Sequence, residues 1–186
     1  DTLAKKIQKD VIEKTIHSMK EDGILFKGFL YAGIMIKDGQ PYVLEFNTRM
    51  GDPECQPIMM RMNSDLYEYL LASSNGTLNL LPSISWKNKT AVCVVLASNG
   101  YPDSFAKNER ITGHHGIDDD NTMVFHAGTK FENGHTLTNG GRVLGITALG
   151  ASLSTAISNA YSAVQKIHWQ SKYCRMDIGK KGLDYL

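Results

Sequence analysis

YVLEFNTRMGDPECQP, residues 42–57, combines an apolar strand pattern with polar residues spaced by two. Side chains on a β-strand alternate between its two faces. One face is apolar and consists of Tyr42, Leu44 and Phe46. The other face consists of Val43, Glu45 and Asn47. The pattern predicts that the apolar face anchors the strand in a core while Glu45 and Asn47 point together into a cavity.

A carboxylate and an amide can lie side by side without the repulsion that two acids would have, and both offer oxygen atoms. Mg²⁺ prefers oxygen ligands and takes only one or two protein groups, with phosphate and water at its other positions. Glu45 and Asn47 therefore predict part of a site for a metal–nucleotide, and Arg49 nearby is suited to hold a phosphate by a forked contact. The alternative is that Glu45 simply faces solvent.

The end of the stretch predicts a turn and a helix start. Asp52 is placed to cap the helix, with Pro53 in its first turn. Pro57 is an alternative start for the same helix. Capping is then the structural interpretation of Asp52, beside any role in binding.

Composition excludes several classes of protein. The chain has 186 residues, 42% of them apolar, which suits one domain or two small ones. A net charge of +1 does not favour a nucleic-acid or anionic-membrane partner. The three cysteines lack metal-ligand spacing, and no apolar run reaches the roughly 18 residues that span a bilayer. We expect free thiols, a soluble cytoplasmic protein and, because residue 1 is not Met, a piece of a larger chain.

Upstream of the opening stretch, the pattern predicts a helix and a strand. Residues 3–20 have apolar side chains at helical spacing, which predicts an amphipathic helix. Residues 28–36 are apolar throughout, which predicts a strand covered on both faces. Asp38-Gly39 is a hairpin turn signal, so this strand and the next are expected to be antiparallel neighbours. A helix is predicted at 57–72.

Beyond a loop-rich segment at 73–85, the character of the chain changes. A buried strand is predicted at 90–98. Short strands are predicted near 109–112, 122–127, 135–138 and 142–148. Brief strands at this spacing favour a small barrel or sandwich. A final helix is predicted at 153–169, with one side made of Ile157, Tyr161, Val164, Ile167 and His168.

Several segments together resemble the phosphoribosylamine–glycine ligase (glycinamide ribonucleotide synthetase) family. The first is LEFNTRMGDPECQP, preceded by FKGFLYAGIMI. LASNGYP at 96–102, FHAGTK at 125–130, TNGGRVLGITALG at 138–150 and the ending AYSAVQKIHWQSKYCRMDIG follow in order. The similarity covers nearly the whole chain, and these motifs are long and specific.

The resemblance implies an α+β fold: the carboxy-terminal part of an ATP-grasp domain, an antiparallel sheet with helices, at 1–75, and a small β-rich barrel- or sandwich-like domain with a terminal helix at 76–186. It implies an ATP-dependent ligase of purine biosynthesis. Glycine is phosphorylated to glycyl phosphate, and the amine of 5-phosphoribosylamine attacks it, giving glycinamide ribonucleotide, ADP and phosphate. ATP and Mg²⁺ or Mn²⁺ are the implied cofactors, with no nucleic-acid or membrane partner.

The resemblance also implies site residues. Glu45 and Asn47 match the metal ligands of the family. Arg49 and Asp52 are expected in catalysis, Arg49 on phosphate or a carboxylate and Asp52 on the glycine ammonium. The residues expected to bind substrate are Glu54, Gly141 and Arg142, with Arg142 on the ribose phosphate. For Arg142 the alternative is a tight turn in which it pairs with an acid.

The chain departs from the family pattern at three points. Met50 stands where Phe is usual, and Cys55 where Thr is frequent; both keep similar bulk. No Gly-rich loop with a lysine for ATP phosphates is found. The missing amino-terminal part of the enzyme is thus an expected partner, and a fragment alone is expected to be inactive.

Two other functions stay open: a noncatalytic binding or assembly module, and another ATP-grasp carboxylate–amine ligase. Other motifs favour structural interpretations. His114-His115 beside residues 118–120 predicts a solvated loop. His126 predicts a hydrogen-bonded core histidine, and Trp169 a core anchor.

Overall fold

The computed structural model describes residues 2–185, which form two compact units. The first unit contains the described residues up to Gly51 together with Asp65–Ser83. The second contains Asp52–Ser64 and the described residues from Ile84 onward. The opening motif is therefore divided between the units after Gly51. The predicted boundary at 75/76, as a division between domains of the enzyme, stays a prediction.

The first unit begins with a continuous helical stretch. It comprises α1 (Thr2–Ile7), a π-helical segment (Gln8–Glu13) and α2 (Lys14–Glu21). The helix predicted at 3–20 is thus confirmed. It ends because Gly23 adopts a left-handed φ of +78° and the Ile24 amide donates to the Met19 carbonyl at 2.8 Å, a common helix stop.

A two-stranded antiparallel hairpin follows. It comprises β1 (Tyr31–Lys37) and β2 (Gln40–Asn47), which confirms the predicted pairing. Asp38 and Gly39 both have positive φ, 49° and 70°, as the tight turn between twisted strands requires.

The hairpin differs from the prediction in its burial. β1 was expected to be covered on both faces, and the apolar face of β2 to lie in a core. Leu44 is 66% exposed, and Tyr42 and Phe46 are exposed as well. The prediction is wrong for these residues because a two-stranded sheet has no further layer unless another element packs on it, and the described elements of this unit leave both strands largely accessible.

The helix predicted at 57–72 is two helices, one in each unit. They are α3 (Cys55–Arg61) and α4 (Leu66–Asn75). Asp65 caps α4, because its Oδ1 accepts from the Tyr67 amide at 2.9 Å. Glu54, rather than Asp52 or Pro57, stands at the start of α3, so the predicted cap and start positions are wrong. A short 3₁₀ turn (Leu78–Leu80) follows α4.

The second unit is built on a four-stranded antiparallel sheet. Its strands are β3 (Thr90–Ser98), β4 (Thr122–His126), β7 (Arg142–Gly150) and β8 (Lys172–Tyr173), in the order β4-β7-β3-β8. A separate hairpin joins β5 (Thr129–Glu132) to β6 (His135–Thr138). The strands predicted at 90–98, 122–127, 135–138 and 142–148 are confirmed. Residues 109–112 contribute only isolated bridges, and a barrel or sandwich is not confirmed.

Strand alternation places the core on one face of this sheet. Val94 pairs with Ile146, and both are fully buried against the long helix α5 (Leu153–Lys166). α5 presents small side chains, Ala156, Ala160 and Ala163, with Val164. The predicted helix is confirmed as far as Lys166. Its predicted inner side is partly wrong, because Ile157 and Tyr161 are only partly buried and His168 lies beyond the helix end and is exposed. Trp169 lies in this core, as predicted.

The other face of β3 and β7 lies beside α3. Cys93 and Gly145 are on this face, and a Cβ built on Gly145 would lie 3.4 Å from Cys93 Sγ and 3.7 Å from Gln56 Nε2. A short helix α6 (Lys180–Leu183) ends the described chain. The turn before α3 is thereby held beside the strand that begins at Arg142.

Candidate functional site

Glu45 and Asn47 lie on the same face of β2 and contact each other. Asn47 Nδ2 donates to Glu45 Oε1 at 3.0 Å. The contact uses one carboxylate oxygen and leaves the Asn47 carbonyl oxygen out of the hydrogen bond. The two side chains of the predicted metal pair are thus within reach of one ion.

Gly33 makes room for Glu45, and sequence reasoning missed it. The two residues are partners across the hairpin. A Cβ at position 33 would lie 3.1 Å from Glu45 Cγ, closer than most real contacts. A glycine inside a strand pattern was the signal, because it often marks a close approach.

The donor set fits Mg²⁺ or Mn²⁺ bound together with a nucleotide. Within residues 2–185, no group of three or more His, Cys, Asp or Glu side chains could hold a metal ion. One carboxylate and one amide oxygen match the small protein share that Mg²⁺ takes when phosphate and water complete its shell. Glu45 is exposed, so a phosphate can approach it.

Arg49 follows β2 in the first unit. Its Nη1 donates to the neighbouring Met50 carbonyl at 2.8 Å, and the side chain is exposed. A guanidinium has five N–H donors, so this contact leaves others to bind an oxyanion.

Asp52 and Arg142 form an ion pair in the second unit. Arg142 Nη2 lies 2.9 Å from Asp52 Oδ2, and Arg142 Nη1 donates to the Asp52 backbone carbonyl at 3.1 Å. Of the two interpretations of Arg142, pairing with an acid is the one that the structure shows. Glu54 lies at the start of α3, and its side chain makes no capping hydrogen bond there.

The loop before Arg142 needs its glycines for close packing. A Cβ on Gly141 would lie 2.0 Å from the Tyr101 ring. A Cβ on Gly140 would lie 2.9 Å from the Gly128 Cα. Gly141 is buried and its carbonyl accepts from the Ser98 amide at 2.9 Å, so the loop is held by backbone contacts.

A cavity of about 240 Å³ opens beside Arg142. Its walls include Pro53, Cys93, Val95, Tyr101 and Tyr173. Nearly all of this wall is apolar or aromatic, and Arg142 and Arg175 are also among its lining residues. Tyr101 was not among the predicted site residues; the signal was its position in the LASNGYP motif.

The predicted site residues therefore form two groups. Glu45, Asn47 and Arg49 lie in the first unit. Asp52, Glu54, Gly141 and Arg142 lie in the second. Within them the structure brings together two pairs, Glu45 with Asn47 and Asp52 with Arg142.

Comparison with known families matches both parts of the chain. Residues 1–55 match the model "Phosphoribosylglycinamide synthetase, ATP-grasp (A) domain". Residues 91–181 match "Phosphoribosylglycinamide synthetase, C domain". The chain belongs to the phosphoribosylglycinamide synthetase family.

Individual relatives of the synthetase family agree with these matches. A phosphoribosylamine–glycine ligase of Rhodopirellula baltica is 46% identical over 184 residues, 98% of this chain. That of Yersinia pestis is 44% identical over 185 residues. The crystal structure of the Thermotoga maritima ligase is 35% identical, with a TM-score of 0.80 over 94% of this chain.

The chain spans less than half the length of these synthetase relatives. It covers 42% of the Rhodopirellula protein, 43% of the Yersinia protein and 42% of the Thermotoga chain. Within residues 2–185, no helix combines the length and the apolar character needed to cross a bilayer.

Two thiols of this synthetase-family chain, Cys93 and Cys174, are not activated. Burial raises the pKa of Cys93, and the nearby charges of Asp52 and Glu54 raise it further. Burial also raises the pKa of Cys174. Since the thiolate is the nucleophile, neither cysteine is suited to covalent catalysis at neutral pH.

The prediction of a solvated loop is wrong for His114. Its side chain is only 6% exposed, and its Nε2 lies 3.1 Å from Thr136 Oγ1. The chain passes beside β6 at this point, which supplies that partner. Burial lowers the pKa of His114, the charges of His115 and His126 lower it further, and Asp118 raises it.

His126 is exposed rather than in the core. It ends β4, and its Nδ1 lies 3.0 Å from Thr129 Oγ1 in the following turn. The hydrogen bond was predicted, but the burial was wrong because the sheet ends there.

Proposed function

We propose that the chain is the carboxy-terminal part of a phosphoribosylamine–glycine ligase. The complete enzyme would use ATP to join glycine to 5-phosphoribosylamine in the cytoplasm, as a step of purine biosynthesis. The missing amino-terminal part of the same enzyme would complete the nucleotide site. The second unit would be its β-rich carboxy-terminal domain, whose barrel- or sandwich-like closure stays a prediction.

The proposed reaction has two displacements. A carboxylate oxygen of glycine attacks the γ-phosphorus of ATP and ADP leaves, which gives glycyl phosphate. The amine of 5-phosphoribosylamine then attacks the acyl carbon. The carbon–nitrogen bond forms as the bond from the acyl carbon to the phosphate oxygen breaks, and the amine nitrogen gives up one proton to the departing phosphate or to water. Phosphoryl transfer of this kind depends mainly on positioning and electrostatics, and it needs no covalent enzyme nucleophile.

The observation that carries this proposal is the contact between Glu45 and Asn47 within the family match. Glu45 would offer a carboxylate oxygen and Asn47 its amide oxygen to Mg²⁺ or Mn²⁺. Such an ion neutralises charge that develops on the transferred phosphoryl group. Arg49 would hold a phosphate or the glycine carboxylate by two parallel N–H contacts.

The test is Glu45→Gln in the full-length enzyme. Removing the charge weakens the hold on the metal, so at limiting Mg²⁺ we expect glycine- and phosphoribosylamine-dependent ADP release to fall by at least about tenfold. Titration with Mn²⁺ and ATP should show weaker binding of the ion.

The matched control is Glu68→Gln, an exposed carboxylate in α4 of the same unit. It should leave both measurements unchanged. Near-normal activity of Glu45→Gln at limiting Mg²⁺ would overturn the metal assignment. Failure of the unsubstituted enzyme to release ADP with these substrates would overturn the proposed reaction.

A further inference from the structure

Asp52 and Arg142 form a bonded pair, although the family resemblance implied a separate ligand for each of them. They are 90 residues apart in the chain and meet at two points, carboxylate to guanidinium and guanidinium to backbone carbonyl. A planar guanidinium held at two points has a defined direction, unlike a flexible ammonium. Asp52 thus aims the side chain of Arg142.

Gln56 occupies the other oxygen of the same carboxylate. It lies in the first turn of α3, and its Nε2 is 3.4 Å from Asp52 Oδ1, while Arg142 is on Oδ2. The Oε1 of Gln56 is buried with no partner among residues 2–185. A buried hydrogen-bond acceptor without a partner destabilises the fold. The hydrogen bond from Gln56 to Asp52 explains why a glutamine is found at this position.

The arrangement leaves Asp52 poorly suited to bind an ammonium. Both carboxylate oxygens already face donors, and its charge is offset by Arg142. Arg142 uses two of five N–H donors on Asp52, and it also borders the cavity of about 240 Å³. That volume is below the roughly 300–1,000 Å³ of sites for drug-sized ligands, so the occupant is small.

We infer, on the basis of the proposed function, that Gln56 and Asp52 are positioning residues that hold the Arg142 guanidinium at the rim of this cavity, where it binds the phosphate of a sugar-phosphate substrate. The aromatic wall formed by Tyr101 and Tyr173 is suited to the apolar face of a sugar. Asp52 acts through Arg142 and does not contact the glycine ammonium.

The test is steady-state kinetics of the full-length enzyme with Asp52→Asn and Gln56→Met. Asp52→Asn removes the charge that orients Arg142, so KM for 5-phosphoribosylamine should rise by about tenfold, the effect of one weakened charge-assisted contact. Both kcat and KM for glycine should stay within about twofold, since only substrate binding is affected. Gln56→Met keeps the shape and removes the hydrogen bond, so a rise of about threefold in the same KM is expected.

Glu132→Gln is the matched control. Glu132 forms an ion pair of 2.8 Å with Lys130 on the β5–β6 hairpin of the same unit. This ion pair is about as exposed as the one between Asp52 and Arg142. It should change no kinetic constant. An equal rise in KM for 5-phosphoribosylamine with Glu132→Gln would mean that losing any ion pair of this unit has the same effect, which would contradict the inference.

Two results would overturn the inference. One is a selective rise in the glycine KM with Asp52→Asn, which would place Asp52 on the ammonium. The other is unchanged kinetics of both test variants in an active enzyme. Absence of glycine-dependent ADP release in the unsubstituted enzyme would instead contradict the proposed function itself.

Discussion

The two units differ in where their apolar side chains lie. In the first, the strand that carries Glu45 keeps Leu44 66% exposed. In the second, Leu96 and Ile146 are fully buried between the sheet and α5. Similar apolar strand patterns thus lead to an accessible hairpin in one unit and to a packed core in the other. Burial depends on the layers available to cover a strand, which a local pattern does not contain.

The largest expected effect contrasts the two kinds of strand directly. Leu96→Ala removes a fully buried side chain from the second unit, and we expect the free energy of unfolding to fall by about 2–5 kcal/mol. Leu44→Ala should change it by less than about 0.5 kcal/mol because that side chain is already in water. Urea unfolding of both variants measures the contrast. Equal losses would mean that Leu44 is covered in solution, which would remove the distinction between the units.

A smaller effect is expected at the loop before Arg142, where packing rather than hydrophobicity sets the sequence. Gly141→Ala places a methyl group 2.0 Å from ring atoms of Tyr101, so we expect a loss of about 1–3 kcal/mol. Urea unfolding measures it. Combining the change with Tyr101→Ala should recover part of the loss caused by Gly141→Ala, since the clash is then absent. Additive losses would show that the ring does not limit this position.

The smallest expected effect depends on pH and concerns His114. Its pKa lies below the ordinary value of 6.5, so the unfolded chain binds a proton more readily than the folded protein does. The stability associated with the neutral ring is therefore complete above about pH 6.5 and is lost as pH falls through the lower pKa of the folded state.

Urea unfolding from about pH 7 to about pH 5 tests this dependence. The free energy of unfolding should fall more steeply for the unsubstituted chain than for His114→Gln. His17→Gln is the control, because His17 is exposed on α2 in the first unit. A slope unaffected by His114→Gln, or one equally reduced by His17→Gln, would contradict the assignment.

Prediction from sequence succeeded where a short-range rule applied. The same-face placement of Glu45 and Asn47 follows from strand alternation, and the hairpin follows from Asp38-Gly39. It failed where the deciding contact was distant or a cap was overlooked. α4 begins after Asp65, which was not recognised as a cap within an apolar helical pattern. α3 ends where Met62 becomes extended and forms an isolated bridge with Trp86.

The same contrast holds for the candidate site. The residues came from a motif and its resemblance to a family, and their presence needs no three-dimensional information. The identity of the residues that contact Asp52, by contrast, can be known only from the three-dimensional structure. Arg142 is 90 positions away, and the geometry that brings the two together depends on α3 lying against the sheet.

By itself, the sequence determined the family, most of the strands with the Asp38-Gly39 turn, and the placement of Glu45 and Asn47 on one strand face, because each of these is encoded within a few neighbouring residues. Only the tertiary structure decided which apolar faces are covered, that His114 is buried, and that Asp52 holds Arg142. These properties arise from contacts between segments far apart in the chain, and their free energy is gained only when whole elements pack together.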